Sequence, residues 1–130
     1  MAYIHRVKYY ECDKMGVTHH SNYIRIMEEA RIDFLDGIGC GFERMEAEGI
    51  VSPVVSLSCN YRKTTTFKDE IAVEVVVSRL TPFKITLSYV MTVGGQLVFT
   101  GESVHCFLED DRPVNIAARF PAIASFSTVE

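Results

Sequence analysis

Near residue 50 the hydrophobic period of this chain changes from 3.6 to 2, and it does not change back. Before the change, Tyr23, Met27, Ala30, Phe34 and Ile38 recur at steps of three and four, and Ile24, Ile26 and Leu35 widen the stripe. At about 100° per residue these fall on one face, with Arg25, Glu29, Asp33 and Asp36 opposite, which predicts an amphipathic helix about 24 Å long. Gly37, Gly39 and Gly41 end it, because glycine readily takes the left-handed conformation that follows a helix. Phe42 to Gly49 has the composition for one or two further helical turns.

After the change, three runs alternate apolar with polar residues. Val55, Leu57, Cys59 and Tyr61 form the first, Ile71, Val73, Val75 and Val77 the second, and Phe83 through Val93 at every second position the third. Each predicts a strand with one apolar face. Gly94-Gly95 can supply the positive φ angles of a tight hairpin, and Thr81-Pro82 and Lys68-Asp69 mark other short turns. A last run, Gln96 to Leu108, is apolar on both sides. At the other end, Tyr3 to Tyr10 alternates as a first strand. Asp110-Asp111-Arg112-Pro113 reads as a turn, and the tail to Glu130 carries no strong period. The fold class this predicts is α+β, one long helix on an antiparallel sheet of about five strands. With no repeat and no linker, residues 1–130 read as a single domain. One helix cannot cover such long strands and their edges, so self-association is expected.

The net charge of −4 is interspersed and no basic stripe is visible, which argues against binding nucleic acid through phosphate neutralisation. No window approaches the ~18 apolar residues of a membrane span. The N-terminus lacks the apolar run of a signal peptide. Cys12, Cys40, Cys59 and Cys106 show no ligand-like or framework spacing. They read as free thiols in a reducing compartment, hence a cytoplasmic location.

Polar chemistry concentrates between the first strand and the helix, in Glu11-Cys12-Asp13, Gly16-Val17 and His19-His20-Ser21-Asn22. Ser21 or Asn22 can cap the helix. Asp13 is either a turn residue or a reactive carboxylate, and Gly16 either a turn glycine or a place where a ligand meets bare backbone. The two histidines invite a metal, but adjacent side chains usually diverge and no third ligand is near in sequence, so no metal site is expected. Glu28 and Arg31, three apart, read as a helix-surface ion pair, with Arg31 at the edge of the apolar stripe.

This arrangement resembles a known family. A strand ending in Glu11-Cys12-Asp13, then Gly16-Val17, then His20-Ser21-Asn22-Tyr23 opening a helix that continues Met27-Glu28-x-Ala30-Arg31, is similar to the hotdog-fold acyl-CoA thioesterases of the 4-hydroxybenzoyl-CoA thioesterase type. Within that type it resembles in particular the bacterial branch of the Tol–Pal-associated acyl-CoA thioesterase. The resemblance runs through the strand lengths to Arg112-Pro113-Val114. It implies a helix wrapped by the sheet, and protomers paired sheet edge to edge as a homodimer or a dimer of dimers (a homotetramer), with sites at the dimer interface. It also implies hydrolysis of an acyl-CoA thioester with no cofactor, coenzyme A being part of the substrate. The family's catalytic aspartate falls on Asp13, as nucleophile or general base. The backbone N–H that polarises the carbonyl falls on His20, and Gly16, Val17, Asn22 and Tyr23 fall at the substrate. Glu28 is the alternative acid, since other hotdog enzymes carry one on the central helix. Arg62, Lys63, Lys68 and Lys84 are candidate cations for the coenzyme A phosphates. Lys14-Met15 departs from the small residues common there, which bears on acyl specificity. The rival readings are a hotdog dehydratase or hydratase, and a hotdog protein that binds acyl-CoA or a protein partner without turnover.

Overall fold

Residues 2–125 are described by a computed structural model. The chain runs β1 (Tyr3–Arg6), a 3-10 turn (Tyr9–Glu11), α1 (Ser21–Gly37), α2 (Phe42–Ala47), β2 (Ile50–Val51), β3 (Val54–Tyr61), β4 (Glu70–Leu80), β5 (Lys84–Val93), β6 (Gln96–Cys106), β7 (Leu108–Glu109), β8 (Arg112–Pro113), α3 (Ile116–Arg119) and α4 (Pro121–Ser125). Five strands form one antiparallel sheet in the order β1-β4-β5-β6-β3. The alternation read from the sequence places Ile71, Val73 and Val77 of β4 and Ile85, Leu87, Tyr89 and Met91 of β5 on one buried face. Against that face lie Tyr23, Ile26, Met27, Ala30 and Leu35 of α1. Burying one such Leu, Ile or Met side chain contributes roughly 1.5–3 kcal/mol, so this single helix–sheet contact supplies much of the driving force for folding. The result is the hotdog arrangement, a sheet curled around one long helix.

Gly94 and Gly95 both take positive φ, 57° and 80°, and join β5 to β6 as a two-residue turn. Both sides of β6 are buried where it crosses the core, at Val98 and Phe99. β3 is different. It pairs with β6 along one edge only, and seven of its eight residues are exposed, Cys59 being half-buried.

Three expectations need correction. The first strand ends at Arg6 and not at Tyr10. The chain bends instead into the 3-10 turn, because the buried Glu11 carboxylate accepts the Lys8 N–H at 2.7 Å and closes a local ring that strand pairing would break. Ile50–Val51, Leu108–Glu109 and Arg112–Pro113 form a second, three-stranded sheet whose two-residue strands are shorter than any readable period. The periodless tail holds two short helices, α3 and α4, which bury Ile116, Phe120 and Ile123. Residues 126–130 of that tail lie outside the described residues.

Candidate active site

The loop after the 3-10 turn is a small hairpin. Asp13 N–H donates to Val17 O at 2.9 Å, Gly16 N–H donates to Asp13 O at 3.0 Å, and Gly16 takes φ of +79° to close the turn. A β-carbon on Gly16 would meet nothing within 4 Å, so glycine is required here by backbone conformation and not by space. The Asp13 side chain works in the turn as well, since its Oδ1 accepts Met15 N–H at 2.8 Å. That bond uses one lone pair of one oxygen and leaves Oδ2 without a hydrogen-bond partner among the described residues. The turn role and the reactive role of Asp13 are therefore compatible. The hairpin tip docks on the segment before β4, where Thr66 Oγ1 donates to Gly16 O at 2.7 Å and Thr18 N–H donates to Thr65 O at 2.8 Å.

The start of α1 differs from expectation. Neither Ser21 nor Asn22 caps it. The N-cap residue is His20, which makes no side-chain cap bond; Ser21 N–H donates to the preceding His19 Nδ1 at 3.2 Å, and Ser21 Oγ lies 2.8 Å from the same nitrogen. Asn22 Nδ2 donates instead to Glu11 O at 2.9 Å, stitching the helix to the preceding turn. Asn22 N–H and Tyr23 N–H are taken by His19 O and His20 O. The His20 N–H alone among these has no acceptor among the described residues. Helix starts leave such N–H groups over, and the aligned peptide dipoles put a partial positive charge there. The two imidazoles do not diverge but stack, with centroids 4.3 Å apart. Among the described residues no three His, Cys, Asp or Glu side chains converge on one point.

Asp13, Val17, Thr18, His20 and Tyr23 line one open pocket of about 280 Å³ together with Tyr61, Arg62, Lys63 and Thr64. Asp13 supplies its carboxylate, and Arg62 and Lys63, just past β3, supply its cations. A neighbouring cavity of about 450 Å³ shares Asp13 and is lined by Tyr9, Cys12, Lys14, Gly16, Thr66 and Phe67. Tyr23 is a core residue that shows one edge to the pocket. Its ring stacks on Phe99 at 5.1 Å, and its hydroxyl lies 2.9 Å from Thr65 Oγ1. Burial pushes the Tyr23 and Tyr61 phenols up, so both remain protonated at neutral pH.

Glu28 is not brought to this pocket. Its carboxylate is exposed on α1 and stands 3.7 Å from Arg31, the expected i,i+3 pair. Lys68 and Lys84 also lie elsewhere. Tyr61 and Thr64 were not legible as pocket residues. Tyr61 reaches the loop only because β3 folds back alongside it, which lets its hydroxyl donate to His20 O at 3.3 Å across 41 residues of sequence.

Comparison with known proteins places relatives around this geometry. Residues 7–124 match the family described as the thioesterase-like superfamily. A relative from Aquifex aeolicus (strain VF5), provisionally named an esterase, is 32% identical over 114 residues, covering 88% of this chain and 89% of its own. One from Bacillus subtilis (strain 168), provisionally named an acyl-CoA thioesterase, is 28% identical over 118 residues, covering 88% and 86%. The solved structure of a DHNA-CoA thioesterase from Staphylococcus aureus superposes with a TM-score of 0.87 at 29% identity, covering 95% of this chain and 85% of that one.

Proposed function

The chain belongs to the thioesterase-like superfamily, and from that premise we propose that it hydrolyses an acyl-CoA thioester to the free acid and coenzyme A at the pocket holding Asp13. The observation that carries this reading is that one pocket is lined both by Asp13, whose carboxylate keeps a free oxygen, and by His20, whose N–H is unaccepted at the start of a 17-residue helix. The thioester carbonyl oxygen takes that N–H. As the carbon becomes tetrahedral, the oxygen gains negative charge, which the N–H and the helix dipole stabilise. Removing one such donor typically costs about 3–4 kcal/mol of transition-state stabilisation. Asp13 Oδ2 either attacks the carbon, forming a mixed anhydride that water then opens, or takes a proton from the attacking water. In both routes coenzyme A leaves as a thiolate, which needs no strong general acid. Val17 in this pocket and Gly16 in the neighbouring cavity shape the approach, and Arg62 and Lys63 of the pocket lining offer charge to the anionic nucleotide. Asn22 acts by holding the helix start to Glu11.

The names of the relatives support acyl-CoA esters as the substrate class. The finer assignment is the 4-hydroxybenzoyl-CoA thioesterase type, Tol–Pal-associated branch, acting in the cytoplasm as one domain and as a homodimer or dimer of dimers. The exposed β3 edge supports the assembly. The test is free-thiol release from short, long and aromatic acyl-CoAs by wild type, Asp13→Asn and Glu28→Gln. Wild type should release thiol, Asp13→Asn should lose at least about 100-fold in kcat, and Glu28→Gln should stay close to wild type. No release by wild type across the three acyl classes defeats the reading, and an intact Asp13→Asn rate removes Asp13 from it.

A further inference from the structure

His5 of β1 is buried, and both its ring nitrogens face carboxylates. Nε2 lies 2.9 Å from Glu11 Oε1 on the 3-10 turn, and Nδ1 lies 3.3 Å from Glu29 Oε1 on α1. The Tyr3 hydroxyl donates to the same Glu29 oxygen at 2.8 Å, and Lys8 N–H donates to the same Glu11 oxygen at 2.7 Å. Both His5 contacts are hydrogen bonds at once when the ring carries two protons, or when one of the carboxyl groups carries one.

Glu11 extends the chain of contacts into the candidate site. Its carbonyl oxygen accepts two donors, His19 N–H at 2.8 Å and Asn22 Nδ2 at 2.9 Å. The first bond ties off the loop holding Asp13, since residues 11 and 19 are its two ends. The second holds the first turn of α1. Asn22 and Glu29 are seven positions apart, close to two full helical turns, so they lie on one face of α1. That face is therefore clamped twice to the same short turn, through the Glu11 carbonyl and through His5.

We propose that His5 is a positioning residue, which fixes Glu11 against α1 and thereby sets where the Asp13 carboxylate stands relative to the His20 N–H. The inference rests on the thioesterase reading for its kinetic consequence but not for its structural one. The charge balance is consistent with a built arrangement. Burial alone would push the Glu11 carboxyl up, and the Lys8 N–H with His5 outweighs it and holds it below the ordinary glutamate value. The charged groups on His5 are Glu11 from the turn and Glu29 from α1; the Tyr3 hydroxyl shares the Glu29 oxygen, the Lys8 N–H shares the Glu11 oxygen, and Asp33 acts on Tyr3 from one helical turn further on. Removing the imidazole leaves a nearly buried carboxylate with one donor fewer, and Glu11 then has a reason to swing out and carry its carbonyl with it.

The test compares wild type, His5→Asn, Glu11→Gln and Glu11→Ala by amide hydrogen exchange and by acyl-CoA kinetics. An asparagine is too short to span both carboxylates. Expected for His5→Asn is faster exchange confined to residues 13–23, with β4, β5 and β6 as protected as in wild type. Its kcat should fall about tenfold or more while KM moves less than about threefold. Glu11→Gln keeps the acceptor oxygen and should retain more kcat than Glu11→Ala. If His5→Asn exchanges like wild type in 13–23, or if exchange speeds up equally throughout the sheet, His5 is not a positioning residue. A wild type without thiol release removes the reaction, and the exchange pattern alone then decides the inference.

Discussion

The imidazole of His105 lies 2% exposed on β6, with Nε2 2.7 Å from Ser103 Oγ, which is 2.6 Å from the Tyr89 hydroxyl. Its Nδ1 has no hydrogen-bond partner among the described residues, nor does the buried Nε of Arg31 on α1. Burial first, and then the Arg31 charge, push its pKa from 6.5 down to about 4. The sign follows from proton counting. Between these values the unfolded chain binds a proton that the folded chain refuses, so stability rises with pH through this window and is lost as pH falls through it. From pH 7 to pH 5 the loss is about 2 kcal/mol. Urea unfolding at fixed protein concentration should show it in wild type, and His105→Asn should flatten the slope even if the variant is less stable overall. Glu11, whose pKa is lowered, acts in the same direction as pH falls through the carboxylate range, so the comparison with His105→Asn isolates the share of the imidazole.

At the scale of elements, the contact between β3 and β6 depends on a missing side chain. Gly101 pairs with Cys59 of β3 and Tyr89 of β5. A β-carbon there would stand 2.9 Å from the Ser58 carbonyl oxygen and 2.9 Å from the Phe99 ring. The ring can turn, but the carbonyl belongs to the β3 ladder and cannot move alone. Gly101→Ala is therefore expected to lift β3 from β6, costing about 1–3 kcal/mol in chemical unfolding. Because Tyr61 at the end of β3 borders the pocket, its edge-on contacts with Tyr23 and Phe99 should loosen too, which near-ultraviolet circular dichroism would report. An unchanged midpoint and unchanged aromatic signal would show that the strand accommodates the methyl.

For the whole molecule, the decisive feature is the open edge of β3. Val54, Val55, Leu57 and Tyr61 are all exposed there, and an eight-residue strand with unpaired N–H and C=O groups is a template for another strand. A second copy, were it to pair antiparallel with this edge, would satisfy those groups, cover apolar surface and bring one protomer's Val54 end toward the other's Tyr61 end. Light scattering at micromolar concentration should give at least twice the 14.7 kDa chain mass. Leu57→Lys places like charges near the middle of the paired edges and should shift the mass toward one chain, with thiol release falling alongside. A monomeric wild type at that concentration overturns the assembly and the idea of a site shared between copies.

The sequence by itself determined the class of fold and the stretch that bears the chemistry. Strand and helix periods are local properties, set by which face of each element must leave water, so β3, β5 and α1 were legible to within about two residues. The small residues and polar groups from Glu11 to Asn22 were legible for a similar reason, being dense over a short span. Only the tertiary structure decided which of them face one another. Ser21 and Asn22 lie inside the first turn of α1, with Ser21 Oγ beside His19 Nδ1 and Asn22 Nδ2 donating to Glu11 O. Glu28 stayed outside the pocket and Tyr61 entered it, since one lies on the solvent side of α1 and the other at the end of a returning strand. His5 read as one member of an alternating strand, and its two carboxylate contacts came from residues 6 and 24 positions away. Periodicity specifies what each segment buries, but only the packed chain specifies which groups share the space between them.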